Sequence, residues 1–262
     1  MRCLIRTSRL AAVLLAALAF AGCDRVTEWR QRVTVEVETP QGVRTGSTVQ
    51  WAKLATGKGV SSQWGASWKT DGEAVVVDVR PDAPAGEPRY LFALLIGNKV
   101  NQYRGGSWGA LGPNALEALV GFENVRDVLD HREPTYRPMV KVWNDLPLGV
   151  TGEAKGKALP AMVTFADVDD PRTVKVLDPM VLDEAFGPGV RLKRVTITKT
   201  DEPVTVGKVE AVLDWIRASI HWRGGIIQYD GPARHVGDVS PEGQLSPRHF
   251  VNVRRMRGSE NQ

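Results

Sequence analysis

Cysteine is nearly absent from this chain of 262 residues, which contains only Cys3 and Cys23. Cys3 lies in an N-terminal segment that we expect to be removed, so no disulfide can form within the remaining chain. The four histidines are far apart in sequence, and none belongs to the H-E-x-x-H pattern of a zinc site. These absences favour neither a disulfide-stapled domain nor a metal centre, and we predict no metal and no cofactor.

Long hydrophobic runs and an excess of charge of one sign are also missing once the first 22 residues are set aside. The longest later apolar run is Tyr90 to Ile96, which is too short to cross a bilayer. The whole chain has 34 Lys+Arg against 30 Asp+Glu, but three of the arginines lie in residues 1–22, which contain no acid. The rest therefore has a net charge of only +1. This balance excludes the usual electrostatic footprint of a nucleic-acid binder, and we predict no such partner.

The N-terminus has the three-part order of an export signal. Arg2, Arg6 and Arg9 precede an uncharged apolar stretch from Leu10 to Ala21, and small residues follow. A positive region, a short apolar region and small residues at a cleavage site are typical of a secretory signal peptide. The stretch is bounded by Arg9 and is too short for a transmembrane helix. The sequence therefore predicts a signal peptide over residues 1–22.

The end of this segment is similar to a known processing motif. Phe20-Ala21-Gly22-Cys23 resembles the lipobox of bacterial lipoproteins, with Phe20 where that family most often has leucine. The resemblance implies that Cys23 becomes the first mature residue and receives the lipid, which places the protein on a bacterial membrane facing the periplasm. Asp24 resembles the inner-membrane retention signal of enterobacterial lipoproteins. Since that rule does not hold in all bacteria, inner versus outer membrane stays open.

The first half of the mature chain has the pattern of β-strands. Residues 32–38 alternate strictly between polar and apolar, and Pro40-Gln41-Gly42 supplies a turn before a second candidate strand over 43–54. Residues 73–80 form a valine-rich run, and residues 90–96 are apolar on both faces, as in a central strand. A helix is predicted from Pro113 onward.

The second half mixes strands with helical signals. Strands are predicted over 161–166, 173–177 and 190–200, with a short helix at 181–186 and an amphipathic helix at 206–220. We expect an α+β, β-rich fold with antiparallel strands in the first half. Residues 23–143 are assigned to a β-rich region and 161–262 to an α+β region. The glycine-rich residues 144–160 between them are either a linker or a long hairpin, so one domain or two stays open.

Blocks of the mature chain resemble a family of uncharacterised bacterial proteins. The blocks span residues 33–47, 159–167, 169–171 and 186–194. The resemblance implies that the mature chain belongs together, and it implies no activity.

One motif points to nucleophilic catalysis. Gly105-Gly106-Ser107-Trp108-Gly109 matches the G-x-S-x-G pattern of a nucleophile elbow, in which a serine sits on a tight turn between a strand and a helix. The elbow needs the strand to run straight into the serine, whereas ten polar or glycine-rich residues separate Ile96 from Ser107. A glycine-rich loop is therefore the favoured interpretation, and a serine hydrolase using Ser107 is the alternative.

Two further groups of residues are candidate binding sites. Eight tryptophans are many for this length, and their alternatives are core packing or an aromatic binding surface. Trp64 and Trp68 are the best candidates for an exposed surface. Asp167, Asp169 and Asp170 offer oxygen ligands but lack the glycine and distal glutamate of a calcium loop, so a turn is favoured.

The anchor and the aromatic, β-rich first half together favour a non-enzymatic role. We expect a lipid-anchored cell-envelope protein, attached through Cys23, that binds or scaffolds a protein or glycan partner in the periplasm. The oligomeric state is left open by the sequence.

Overall fold

Within the residues that the structure describes, ten strands and three short helices are defined. The computed structural model describes residues 25–56, 66–97, 144–156, 159–219, 226 and 245–252. The strands there are β1 (Arg25–Thr39), β2 (Gly42–Thr56), β3 (Ala66–Glu73), β4 (Val75–Asp78), β5 (Tyr90–Gly97), β6 (Thr151–Ala154), β7 (Pro160–Phe165), β8 (Val174–Leu177), β9 (Arg191–Thr200) and β10 (Val251–Asn252). The helices are α1 (Asp183–Phe186), α2 (Ile216–Ser219) and α3 (Pro247–Phe250), with a 3₁₀ turn at Pro171–Thr173.

The strands form two antiparallel sheets. Sheet 1 has the order β10-β3-β2-β1-β9-β6, and sheet 2 has the order β4-β5-β7-β8. Both sheets combine strands from the two halves of the chain, since β1 pairs with β9 and β5 pairs with β7. Residues 151–154, inside the glycine-rich stretch 144–160, form β6 and pair with β9. The prediction of a strand-rich protein with antiparallel pairing is confirmed.

The valine alternation of β1 builds the core between the sheets. Val33, Val35 and Val37 are fully buried, and they form one cluster with valines of β4 and other apolar residues of β5, β7 and β9. Successive side chains of a strand point to opposite faces, so the alternation leaves charged residues such as Glu36 on the outer face. There Glu36 pairs with Arg194 at 2.7 Å. Hydrogen bonding to Arg194 is the main reason why the pKa of Glu36 is lowered.

The other face of sheet 2 has a second core, made largely of aromatic rings. Phe92, Phe165 and Phe250 pack with ring centroids 5.6–6.0 Å apart, and Trp215 lies 6.0 Å from Phe165. Sheet 2 is therefore covered on both faces, by sheet 1 and by the C-terminal segments. This explains why β5 is apolar at nearly every position, and it confirms the central strand predicted over residues 90–96.

The two sheets meet at a corner where β3 continues into β4. Only Ala74 separates these strands, so the chain leaves sheet 1 and enters sheet 2 within one residue. At this corner β4 crosses directly over Gly46 of β2, where an added Cβ would lie 2.1 Å from the carbonyl oxygen of Val76. Glycine is needed at position 46 because no side chain fits between the two backbones.

The segment after β9 forms a strap and then a series of turns. Asp201 and Glu202 contact Arg30 and Arg32 on the outer face of β1, and Thr205 bonds to Val49 at the edge of β2. Residues 207–215 are turns, and α-helical geometry is confined to α2. The continuous amphipathic helix predicted over 206–220 is thus not confirmed, although Val209, Leu213 and Ile216 of its predicted apolar face are fully buried. No helix in the described ranges is long and apolar enough to cross a membrane.

Candidate functional site

A cleft opens at one end of the sandwich, between three loops. These are the β1–β2 turn, the loop from β4 to β5, and the loop from α1 to β9. The cleft has a volume of about 460 Å³. Its lining residues are Pro40, Gln41, Arg44, Arg80, Pro81, Asp82, Ala83, Glu87, Phe186, Gly187, Pro188 and Val190. This volume lies within the range of pockets that hold small molecules.

The register of the hairpin places Arg44 on the inner face of sheet 1. The turn at Pro40-Gln41 is only two residues long, so Thr39 pairs with Gly42 and Arg44 pairs with Val37. Residues directly opposite each other in an antiparallel pair point to the same face, and Val37 belongs to the core between the sheets. Arg44 is therefore an inward-facing cation at the end of the core, where the sandwich opens into the cleft.

The guanidinium of Arg44 has no partner within the described part of the chain. Its Nε is buried and forms no hydrogen bond; the Oγ1 of Thr70 is the other such atom among the described residues. A guanidinium has only donors, and leaving a buried N–H unpaired costs about 1–3 kcal/mol. The arrangement can therefore bind a group that accepts hydrogen bonds, and an anion best of all.

The other charged groups of the cleft lie on the β4–β5 loop. Arg80 and Glu87 form an ion pair at 2.9 Å. Asp82 is exposed and forms no hydrogen bond or ion pair with the described residues, although Arg89 is near enough to interact with it electrostatically. Arg89 itself donates two hydrogen bonds to Asp78, at 3.0 and 2.6 Å, and these raise its pKa.

The remaining walls of the cleft are apolar and stiff. Pro40, Pro81 and Pro188 have a fixed φ angle and no backbone N–H. Gly189, with a φ of +83°, lies so close to the Pro40 ring that an added Cβ would be 3.2 Å from it. This contact holds the β1–β2 turn against the α1–β9 loop. The cleft is therefore preorganised by backbone restriction rather than by flexible side chains.

A second buried polar group, the side chain of Glu73, lies at the sheet corner, and both of its carboxylate oxygens accept hydrogen bonds. The carboxylate of Glu73 accepts the backbone N–H groups of Lys208 and Val209, each at 3.1 Å. Its backbone carbonyl accepts hydrogen bonds from Thr48 and Gln50, at 3.2 and 3.4 Å. We call these five residues the Glu73 network. Burial raises the pKa of the Glu73 carboxyl despite the two N–H donors.

Several residues that the sequence singled out lie outside the described ranges. Cys23, Trp64 and Ser107 are among them, as is the helix predicted from Pro113. The backbone of Trp68 lies in β3, where it pairs with Leu54. The lipid attachment, the exposed tryptophan surface and the serine hydrolase therefore stay predictions.

The acidic cluster forms a turn, as favoured from the sequence. Asp167 accepts the N–H of Asp169 at 2.9 Å, and Asp170 accepts the N–H of Arg172 at 2.9 Å at the start of the 3₁₀ turn. Arg172 also pairs with the Asp170 carboxylate at 2.8 Å and lowers its pKa. In the described part of the chain, no three His, Cys, Asp or Glu side chains are placed to hold a metal ion.

Sequence reasoning missed Arg44, the residue on which the site depends. The alternation of residues 43–54 alone would turn Val43 inward, yet Val43 is 47% exposed. The signal that could have corrected this was the two-residue turn, because it fixes which residue lies opposite Val37.

Comparison with protein-family models, with curated proteins and with solved structures found no match for this chain.

Proposed function

We propose that this protein is a lipid-anchored binding module of the bacterial cell envelope, facing the periplasm, with the cleft as its binding site. The observation that supports the proposal is the placement of the two ends of the β1–β2 hairpin. Cys23, the proposed lipid attachment, is two residues before the start of β1 at Arg25, and the cleft contains the turn that follows the end of β1 at Thr39.

The length of β1 separates the anchor from the cleft. A strand rises about 3.3 Å per residue, so the 15 residues of β1 span roughly 50 Å. Because only Asp24 stands between Cys23 and the strand, no long linker intervenes. The hairpin acts as a rigid spacer and presents the cleft away from the lipid surface.

Metabolic labelling with an alkyne fatty acid tests the anchor. We expect the expressed full-length chain to incorporate the label, and Cys23→Ser to abolish both the label and membrane association. An unlabelled wild-type chain, or a Cys23→Ser variant that is processed and membrane-bound as before, overturns the anchor.

Fluorescence quenching by nitroxide lipids tests the orientation. A thiol-reactive dye is attached to the lipidated protein in vesicles, through Val26→Cys at the start of β1 or Gln41→Cys at the turn, both of which are exposed positions. We expect strong quenching at position 26 and little at position 41. Equal quenching at the two positions would mean that β1 lies flat on the bilayer, and the proposed presentation of the cleft would be wrong.

A further inference from the structure

Arg44 determines the kind of group that the cleft accepts. Its buried Nε needs an acceptor, and the described part of the chain supplies none. Thr48 and Gln50, which also face inward along β2, have hydrogen-bond partners, because both side chains donate to the carbonyl of Glu73. A carboxylate or a phosphate offers the planar or multiple acceptors that match a guanidinium.

The acidic residues of the cleft discriminate between these two anions. Arg80 is already paired with Glu87, so Arg44 and Asp82 remain as one cation and one anion without an ion-pair partner in the described ranges. A doubly charged phosphate would be repelled by Asp82 and Glu87, which line the same cleft. A ligand with one carboxylate and one amine matches both unpaired charges.

The walls of the cleft fit the part of the ligand between these two charges. Phe186, Val190 and the three proline rings are apolar surfaces, and none of these side chains competes for the polar ends of a ligand. Because one proline restricts each of the three loops, little conformational entropy is lost on binding. A short ligand that carries small aliphatic groups between its two charged ends would contact these apolar walls.

We infer that the cleft binds a short peptide with free termini, holding the terminal carboxylate on Arg44 and the terminal amine near Asp82. The inference rests on the proposed binding module and names its ligand class. It requires no chemistry on the ligand, only charge-assisted hydrogen bonds at the two ends and apolar contact between them.

Titration calorimetry with L-Ala-L-Ala-L-Ala tests the inference on the full chain in detergent micelles. We expect the free tripeptide to bind, its C-terminal amide to bind about tenfold more weakly, and its N-acetyl form about threefold more weakly. The smaller second effect follows from the exposure of Asp82, where solvent screens the charge.

Variants of the protein should reproduce the effects of the blocked peptides. Arg44→Met should weaken the free tripeptide by about tenfold and lose the preference for acid over amide. Asp82→Asn should weaken it by about threefold and leave that preference intact. Arg217→Met is the matched control, because Arg217 is paired with Glu210 at 2.7 Å outside the cleft, and binding should not change.

Four results would overturn the inference. One is the absence of binding by the wild-type chain, and another is equal binding of acid and amide. The third is wild-type affinity in an Arg44→Met variant whose urea unfolding shows that it is folded. Displacement of the peptide by inorganic phosphate would instead assign the site to phosphate and also contradict it. Because fatty-acid labelling of Cys23 is measured separately, failure of the ligand class leaves the anchor intact and the two failures are distinguishable.

The source of the peptide can be read from the same titration. A preference for L-Ala-L-Ala over D-Ala-D-Ala supports the inference with protein chain ends as ligands. The opposite preference supports it with released peptides that end in D-Ala-D-Ala and have both a free carboxylate and a free amine.

Discussion

Two polar regions lie along β2, and they differ in whether the protein supplies all of their hydrogen-bond partners. At the sheet corner, the Glu73 network satisfies both carboxylate oxygens with backbone N–H groups. At the open end, two core-facing positions beyond Thr48, Arg44 keeps a buried Nε without a partner in the described chain. Buried polar groups are normally hydrogen-bonded, so the first region is typical of structure and the second of a binding site.

The difference between the Glu73 network and Arg44 has a geometric cause. The chain leaves β3 and sheet 1 at the corner. There the turns that follow the strap supply the N–H groups of Lys208 and Val209, which donate hydrogen bonds to Glu73. At the open end, no segment among the described residues crosses β2, and the described loops contribute proline rings and the ion pair between Arg80 and Glu87. The same strand is therefore covered by its own chain near its middle, at Thr48 and Gln50, and left for a ligand near its start, at Arg44.

The largest expected effect comes from removing the Glu73 carboxylate from the Glu73 network. Glu73→Ala leaves the N–H groups of Lys208 and Val209 unpaired in a buried site, and we expect a loss of about 3–4 kcal/mol in the free energy of unfolding. Urea denaturation followed by tryptophan fluorescence measures it. Glu87→Ala is the matched control in the cleft, where removal of a surface partner of Arg80 should cost less than about 1 kcal/mol. Equal losses in the two variants would contradict the comparison.

The second largest expected effect is a loss of folding stability as the pH falls, caused by His249 beside the Glu73 network. His249 lies in α3, whose Phe250 carbonyl accepts the N–H of Ala74 at 2.7 Å, directly beside Glu73. Burial lowers the pKa of His249 from 6.5 to about 4, and its Nδ1 accepts the N–H of Ser246 at 3.1 Å. The folded state therefore holds the neutral imidazole, while the unfolded chain takes up a proton as the pH falls below 6.5. The stability from this residue is complete above pH 6.5 and is lost progressively towards pH 4.

The expected size of this loss is about 2–3 kcal/mol between pH 6.5 and pH 4. Urea denaturation of the wild type and of His249→Gln over this pH range measures it, since glutamine keeps an acceptor but does not titrate. Glu73 acts in the opposite direction, because its raised pKa makes protonation favourable in the folded state and adds stability as the pH falls. A His249→Gln variant with the same pH slope as the wild type would show that His249 is not responsible.

The sequence allowed much of the fold to be predicted where one local pattern has one structural meaning. Alternating valines made β1 a half-buried strand, and an apolar run on both faces made β5 central. The partners of these strands could not be predicted in the same way. β1 pairs with β9, whose residues lie more than 150 positions away, and nothing in a local pattern selects that pairing.

The predicted helix over 206–220 shows a second limit. Its apolar spacing correctly identified the buried residues, but similar spacing also arises in a chain of turns. Here the N–H groups of Ala211 and Leu213 bond four residues back, as in a helix, whereas those of Val212 and Ile216 bond three residues back. The segment therefore mixes helical bonds with tight turns, and its first N–H groups, of Lys208 and Val209, bond to Glu73, more than 130 positions earlier.

The smallest expected effect is a gain in stability, and it concerns Arg44 at the start of β2. Arg44→Met keeps an unbranched apolar side chain beside Val37 and removes the buried unpaired N–H, so we expect a gain of about 1 kcal/mol in the free energy of unfolding. Arg217→Met, which removes an exposed pair with Glu210, should show no gain. Urea denaturation of the ligand-free full chain measures both. A clear loss of stability in Arg44→Met would mean that the guanidinium is held by its own protein, as Glu73 is. The two polar regions along β2 would then not differ, and Arg44 would be a structural residue rather than a binding residue.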